Sequence, residues 1–151
     1  MGGTILEKFL NREKIQQFIP HRGQWLLLDF VIEIRENFII AEKTFTLNEC
    51  KGHFNPPIVP GVLICESLMQ AGAVLASSHL GGIAKDMIPV VAHINDVRFF
   101  SKVIPGEKIT LEVEVKKIGE ISRSLCALKG TATVGSRRVA KFDAVGTLIA
   151  R

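Results

Sequence analysis

The feature that most constrains this chain is residues 60–76, PGVLICESLMQAGAVLA. It opens on Pro-Gly, contains no later proline, and is otherwise built from residues that suit a helix. A surface helix shows a polar face at the 3.6-residue period. Here every face is apolar, broken only by Glu66, Ser67 and Gln70. Such a helix is buried, in a protein core or in a membrane. A membrane span wants roughly 20 apolar residues with few charges. This run is shorter and carries a carboxylate in its first half, so a core helix is the expectation. An ionised carboxylate in an apolar core is costly unless paired, and burial raises its pKa. Glu66 therefore needs a reason to be there, and His53, in the Gly52-His53-Phe54 stretch upstream, is the candidate partner.

The flanking pattern indicates what surrounds the helix. Leu6 to Phe18 has helical spacing, with Asn11 a cap for a second short helix, and Ile19-Pro20 ends it. Trp25–Ile34 and Phe38–Leu47 read as strands joined by a turn at Glu36-Asn37. Asn48–Pro60 is an irregular, proline-interrupted loop that delivers His53, with a cis bond expected at Pro56-Pro57. The buried helix runs on to a glycine cap at Gly81-Gly82. Then the period becomes two: Met87–Phe99, Lys108–Ile118, Ser122–Val134 and Val139–Ala150 form a meander, with a last turn at Gly135-Ser136. The expected fold is α+β, a curved antiparallel sheet wrapped around one long helix inserted after the second strand, in a single domain over 1–151. One sheet cannot cover every side of a helix, so a second copy is expected to cover the rest.

Composition sets outer limits. A chain of 151 residues, 47% hydrophobic and 23% charged, suits one soluble domain. Its net charge of +4 comes from scattered Lys and Arg without aromatic interleaving, which argues against nucleic acid. Cys50, Cys65 and Cys126 are odd in number and lack Cys-x-x-Cys spacing, so no disulfide framework, metal site or cofactor is expected. The N-terminus has neither a signal-peptide pattern nor a myristoylation serine or threonine, since Leu6 stands in that place. A cytoplasmic protein without membrane association is the expectation.

Ile19-Pro20-His21-Arg22, Leu26-Leu27-Leu28-Asp29, Gly52-His53-Phe54 and Val59 to Ala71 resemble the motifs of bacterial 3-hydroxyacyl-[acyl-carrier-protein] dehydratases of the hot-dog fold. Ile94, Val97-Arg98-Phe99 and Val103 to Lys108 extend the likeness, which covers nearly the whole chain from Phe18. The resemblance implies a hot-dog fold and homodimers, commonly assembled into trimers of dimers. It implies loss of water from a 3-hydroxyacyl chain, held on the phosphopantetheine of acyl carrier protein, to give the trans-2-enoyl product. It also implies that His53 of one subunit meets Glu66 of the other. Two departures stand out. The family reads Gly-His-Phe-Pro-Gly-His-Pro where this chain has a segment one residue shorter without the second histidine, and Phe100-Ser101 replaces a common basic pair. Docking of an acidic carrier would then fall to Arg98, Lys102 or Arg137-Arg138.

The residue types suit that chemistry. Histidine titrates near neutrality and fits the base that removes the C2 proton; a carboxyl in an apolar setting fits the acid that protonates the leaving hydroxyl. The N–H groups of Gly61 and Val62, at the start of the helix, are placed to receive charge on the thioester oxygen. Gln70, one turn beyond Glu66, is positioned to orient its carboxyl, or serves as a packing or interface amide. Phe54, Met69 and Phe99 read as core residues first and walls of an acyl tunnel second, as does Phe100. Alternative readings keep Glu66 as a structural partner of Arg98, His53 as a backbone-bonded loop residue, His21 as a support of the fold or loop, and His79 and His93 as surface residues. The competing functions are thioester hydrolysis, with Cys50 a conceivable nucleophile, and non-catalytic acyl-thioester binding. Glutamate rather than aspartate at position 66 argues against the related trans-2 to cis-3 isomerases.

Overall fold

The computed structural model describes residues 3–79, 86–117 and 125–151. Its elements are β1 (Ile5–Leu10), α1 (Arg12–Ile15), β2 (Phe30–Arg35), β3 (Phe38–Thr44), α2 (Gly61–Ser78), β4 (Met87–Phe99), β5 (Lys108–Lys117), β6 (Cys126–Val134) and β7 (Arg137–Ala150). One antiparallel sheet has the order β1-β2-β3-β5-β6-β7-β4. The long helix packs on the sheet, most extensively on β5. Alternation decides which side chains meet it: Ile109, Leu111, Val113 and Val115 of β5 point inward and are buried. By length and composition α2 passes as a membrane span, yet 56% of it is buried within the molecule, and its covered side packs on the sheet.

Several expectations change. The helical spacing of Leu6 to Phe18 divides into a strand and a single helical turn. Pairing of Ile5 with Arg35 and Leu10 with Val31 wins over the apolar period. Asn11 does cap α1, accepting from the Lys14 N–H at 3.0 Å. The helix therefore follows the third strand, not the second. The strand expected from Trp25 begins only at Phe30. Before that, side chains hold the backbone: the Arg12 guanidinium donates to the carbonyls of Leu26 and Leu28, and Gln70 binds Trp25 and Leu27. The next strand stops at Thr44 rather than Leu47, because Thr46 starts a capping turn. The cis bond lies at Asn55-Pro56, not Pro56-Pro57. Gly81-Gly82 and Ser122 lie outside the described residues; α2 ends at Ser78 with His79 as its cap, β6 is described from Cys126, and β7 starts two residues earlier than expected.

One side of this arrangement is open. On α2, Val62 is exposed, and Leu63, Met69 and Ala73 are only partly buried. Among the described residues strand β4 ends the sheet with no further neighbour, and it exposes Val91, Ile94 and Phe99. Its length of 13 residues makes a long apolar edge, which natural sheets normally cover.

Candidate active site

Glu66 is held by its own helix. Gln70, four residues on, lies on the same face and is 1% exposed. Its Nε2 donates to Glu66 Oε1 at 2.9 Å and to the Trp25 carbonyl at 2.7 Å. Its Oε1 accepts from the Leu27 N–H at 2.8 Å. One partner can only donate and another can only accept, so the amide has a single satisfactory orientation. The packing-amide and positioning readings of Gln70 therefore hold together: one side chain ties the segment before β2 to α2 and fixes the carboxyl. Ser67 is consumed within the helix, donating to the Leu63 carbonyl.

A residue read from sequence only as a support of fold or loop lies beside this pair. His21 Nε2 is 3.5 Å from Glu66 Oε1. Its Nδ1 is buried without a hydrogen-bond partner among the described residues. An orphaned N–H is rarer than an under-used acceptor, so the proton belongs on Nε2, facing Glu66. Burial pushes the imidazole below its ordinary 6.5; the Glu66 charge opposes that and Arg22 adds to it. The ring is thus neutral at pH 7. Arg22 itself is occupied by the carbonyls of Ile19, His21 and Gln16. Arg98 is not the partner of Glu66; it pairs with Asp96 on its own strand.

His53 is held by backbone. The loop that carries it begins with a reciprocal capping box, Thr46 N–H to Glu49 Oε2 at 2.7 Å and Glu49 N–H to Thr46 Oγ1 at 3.2 Å. Lys43, 3% exposed, donates to Glu49 Oε1 at 2.9 Å and anchors that turn to β3. Burial raises the Glu49 pKa, but the Thr46 N–H and Lys43 outweigh it, and the carboxyl lies below its ordinary value. Next, the His53 N–H donates to the Cys50 carbonyl at 3.0 Å, and the Ile58 N–H to that of His53 at 3.2 Å. The Val59 N–H fastens the far end to the Val103 carbonyl at 2.8 Å. The His53 side chain donates from Nδ1 to the Ile58 carbonyl at 2.9 Å. A carbonyl only accepts, so Nδ1 carries a hydrogen, and in the neutral tautomer the lone pair is on Nε2. The backbone-bonded reading of His53 is correct, and the bond engages Nδ1 rather than Nε2.

Glu66, Gln70 and His21 stand at one end of a cavity of about 990 Å³ between α2 and the sheet. Met69, Ala73 and Ala76 form its wall along the helix. His53 does not line it within one chain. Of the three tunnel candidates Met69 lines it, whereas Phe54 and Phe99 do not. Nor are those two core residues: Phe54 is 66% exposed with its ring edge-on to His53, and Phe99 is 52% exposed. Phe100 is likewise exposed and stacks under the Arg138 guanidinium at 4.1 Å. At the start of α2, Leu63 and Ile64 make the first bonds to the Pro60 carbonyl, so Gly61 and Val62 N–H have no acceptor among the described residues. The Phe99 ring packs so closely there that a Cβ on Gly61 would fall 2.7 Å from it.

Other chemistries find little support. Cys50 is buried, and its thiol is pushed up by burial and by Glu49 despite Lys43; a protonated, enclosed thiol is a poor nucleophile. Burial likewise raises Cys65. No cluster of His, Cys, Asp and Glu fit for a metal occurs among the described residues. Three of the cations considered for carrier docking are engaged: Arg98 pairs with Asp96, Arg137 Nη2 donates to both Glu107 oxygens at 2.8 Å, and Arg138 is stacked. The His21 role had one signal in the sequence, a histidine locked between Pro20 and Arg22 just before an apolar run; nothing there indicated which carboxylate it would meet.

Similarity to known proteins accords with this geometry. The model of the FabA-like domain matches residues 19–143. A curated 3-hydroxyacyl-[acyl-carrier-protein] dehydratase FabZ from Clostridium perfringens is 41% identical, over 85% of this chain and 91% of its own. Its counterpart from Xanthomonas campestris pv. campestris is 36% identical over 95% of each chain. Among solved structures, the dehydratase heterocomplex ApeI:P from Xenorhabdus doucetiae superposes with a TM-score of 0.74 at 15% identity, covering 91% of both chains, a likeness of hot-dog fold. With a family model over most of its length and relatives at this identity, the chain belongs to the FabA-like domain family, among the FabZ-type hot-dog dehydratases.

Proposed function

We propose that this protein is a hydro-lyase that dehydrates 3-hydroxyacyl groups on acyl carrier protein to the trans-2-enoyl thioester, in fatty-acid biosynthesis. The names of its relatives support the reaction and carrier. The observation that carries the reading is the Gln70-anchored Glu66 lining a largely apolar cavity. In the reaction, His53 Nε2 takes the C2 proton and the C2–H electron pair forms the C2=C3 bond. The C3–O bond breaks as Glu66 protonates the departing hydroxyl, which leaves as water. Gln70 donates to Glu66 Oε1 and His21 Nε2 faces the same oxygen, which leaves Oε2 to meet the departing hydroxyl. Transient charge on the thioester oxygen falls to the Gly61 and Val62 N–H groups, fixed dipoles that need no reorganisation.

The His53 and the Glu66 of one reaction come from two copies of the chain, a reading supported by the absence of His53 from its own chain's cavity and by the uncovered β4 edge. Two copies joined along β4 would extend the sheet and close the open side of α2. The test is interconversion of 3-hydroxybutyryl and crotonyl thioesters by the purified protein. Water addition and loss without thiol release is the expected result; release of free thiol as the main product would overturn the reading in favour of hydrolysis.

A further inference from the structure

The cavity that Glu66 lines has one point of very close packing between sheet and helix, which the reaction itself does not need. Leu128, on β6, reaches across to the helix between two glycines. A Cβ on Gly72 of α2 would lie 2.1 Å from Leu128 Cδ2, and one on Gly146 of β7 would lie 3.0 Å from Cδ1. All three residues line the cavity. A leucine spanning from sheet to helix fits there only because both surfaces lack a side chain at that level. Beyond it the lining mixes Val90, Pro89 and Leu148 with polar groups, His79, Glu36, Asn37, Glu114 and Lys116; the His79 ring is bonded to the Glu36 carbonyl. A hydrocarbon tail laid against such groups strips their water without replacing it.

We propose that Leu128, seated between Gly72 and Gly146, is the side chain that sets acyl chain length, favouring medium-length chains. This rests on the dehydratase reading above. An acyl group whose C3 lies beside Glu66 runs along α2 past Met69. Gly72 is six residues beyond Glu66, so its level is about 9 Å along the helix. A carbon–carbon bond of about 1.5 Å at the tetrahedral angle advances roughly 1.25 Å, which places about the tenth carbon at Leu128. Without that barrier the apolar wall continues to Ala76, about 15 Å from Glu66, enough for roughly fifteen carbons.

The test compares kcat/KM for 3-hydroxybutyryl, 3-hydroxydecanoyl and 3-hydroxymyristoyl thioesters in the full-length protein and two variants. The natural protein should accept the first two and discriminate against the myristoyl chain by about tenfold or more, the scale of a few misplaced methylenes. Leu128→Ala should raise the myristoyl-to-butyryl ratio by about tenfold. Gly72→Ala, whose methyl drives Leu128 aside into the passage, should lower the decanoyl-to-butyryl ratio. Should Leu128→Ala fail to fold, Leu128→Val, a loss of one methylene, should move the ratio the same way. An unchanged ratio in a folded Leu128 variant would overturn the proposal. Lack of butyryl-length turnover by the natural protein would overturn the dehydratase reading instead, and calorimetric binding of saturated acyl thioesters of the same lengths would still decide whether Leu128 selects among them.

Discussion

Glu66 and His53 are held in opposite ways. The carboxylate stands on a helix, and a buried side chain, Gln70, fixes it while also binding two backbone groups of the segment before β2. The imidazole stands on a loop, and its hydrogen bond goes to a backbone group, the Ile58 carbonyl. The proposed acid is thus coupled to the core and the proposed base to the path of a loop. Loss of Gln70, the anchor that fixes the acid, should appear in stability and rate together. Damage to the base should appear in rate alone.

The largest effects separate the two groups from everything else. Glu66→Gln and His53→Ala should each lower kcat by about 10²- to 10⁴-fold, the range for a general acid or base, with thermal midpoints close to the natural protein. A His53→Ala variant that kept most of its activity would break the comparison at once. Next comes Gln70→Leu. It leaves the Leu27 N–H and the Trp25 carbonyl unpaired in the interior, at about 1–3 kcal/mol each, and it frees the carboxyl. Denaturant unfolding should show a loss of roughly 2–6 kcal/mol, and kcat should fall as well. An intact stability with a lowered rate would mean that Gln70 serves the site alone.

The smallest effect sharpens the picture around Glu66. Burial lowers the His21 pKa from 6.5, so the unfolded chain takes up this proton before the folded one does. The His21 contribution to stability is therefore fully present above pH 6.5, declines as the pH falls below it, and levels off below the lowered folded value. His21→Asn should flatten that slope in unfolding midpoints measured between pH 7 and about 5. An unaltered slope would place His21 in contact with water rather than in the enclosed position beside the acid.

Much of this was legible in the residues. An apolar run with Glu66 at its first third gives a core helix, the alternation of Lys108 to Lys117 gives β5, and Asn11 gives a cap. What escaped was set by tertiary contacts. The strand at Ile5–Leu10 exists because β2 offers it a ladder, although its own spacing suits a helix. Trp25 to Leu28 look like a strand, but Arg12 and Gln70 take their backbone groups first. The ion pair of Arg137 and Glu107, thirty residues apart, has no local signature either. In the site, His53, Glu66 and Gln70 announce themselves by residue type and spacing. The contact of His21 with Glu66 depends on how two distant segments pack, and no period in the sequence encodes it.

The most direct test of the central claim is to mix two inactive variants. If His53 of one subunit works with Glu66 of the other, a dimer of one His53→Ala chain and one Glu66→Gln chain has one doubly damaged site and one intact site. Co-expressed at equal levels, with random pairing, the two variants should recover about a quarter of the natural activity. If the mixture stays as inactive as either variant alone while dimers of mixed composition are present, the two groups do not meet across the interface, and the shared-site account is wrong.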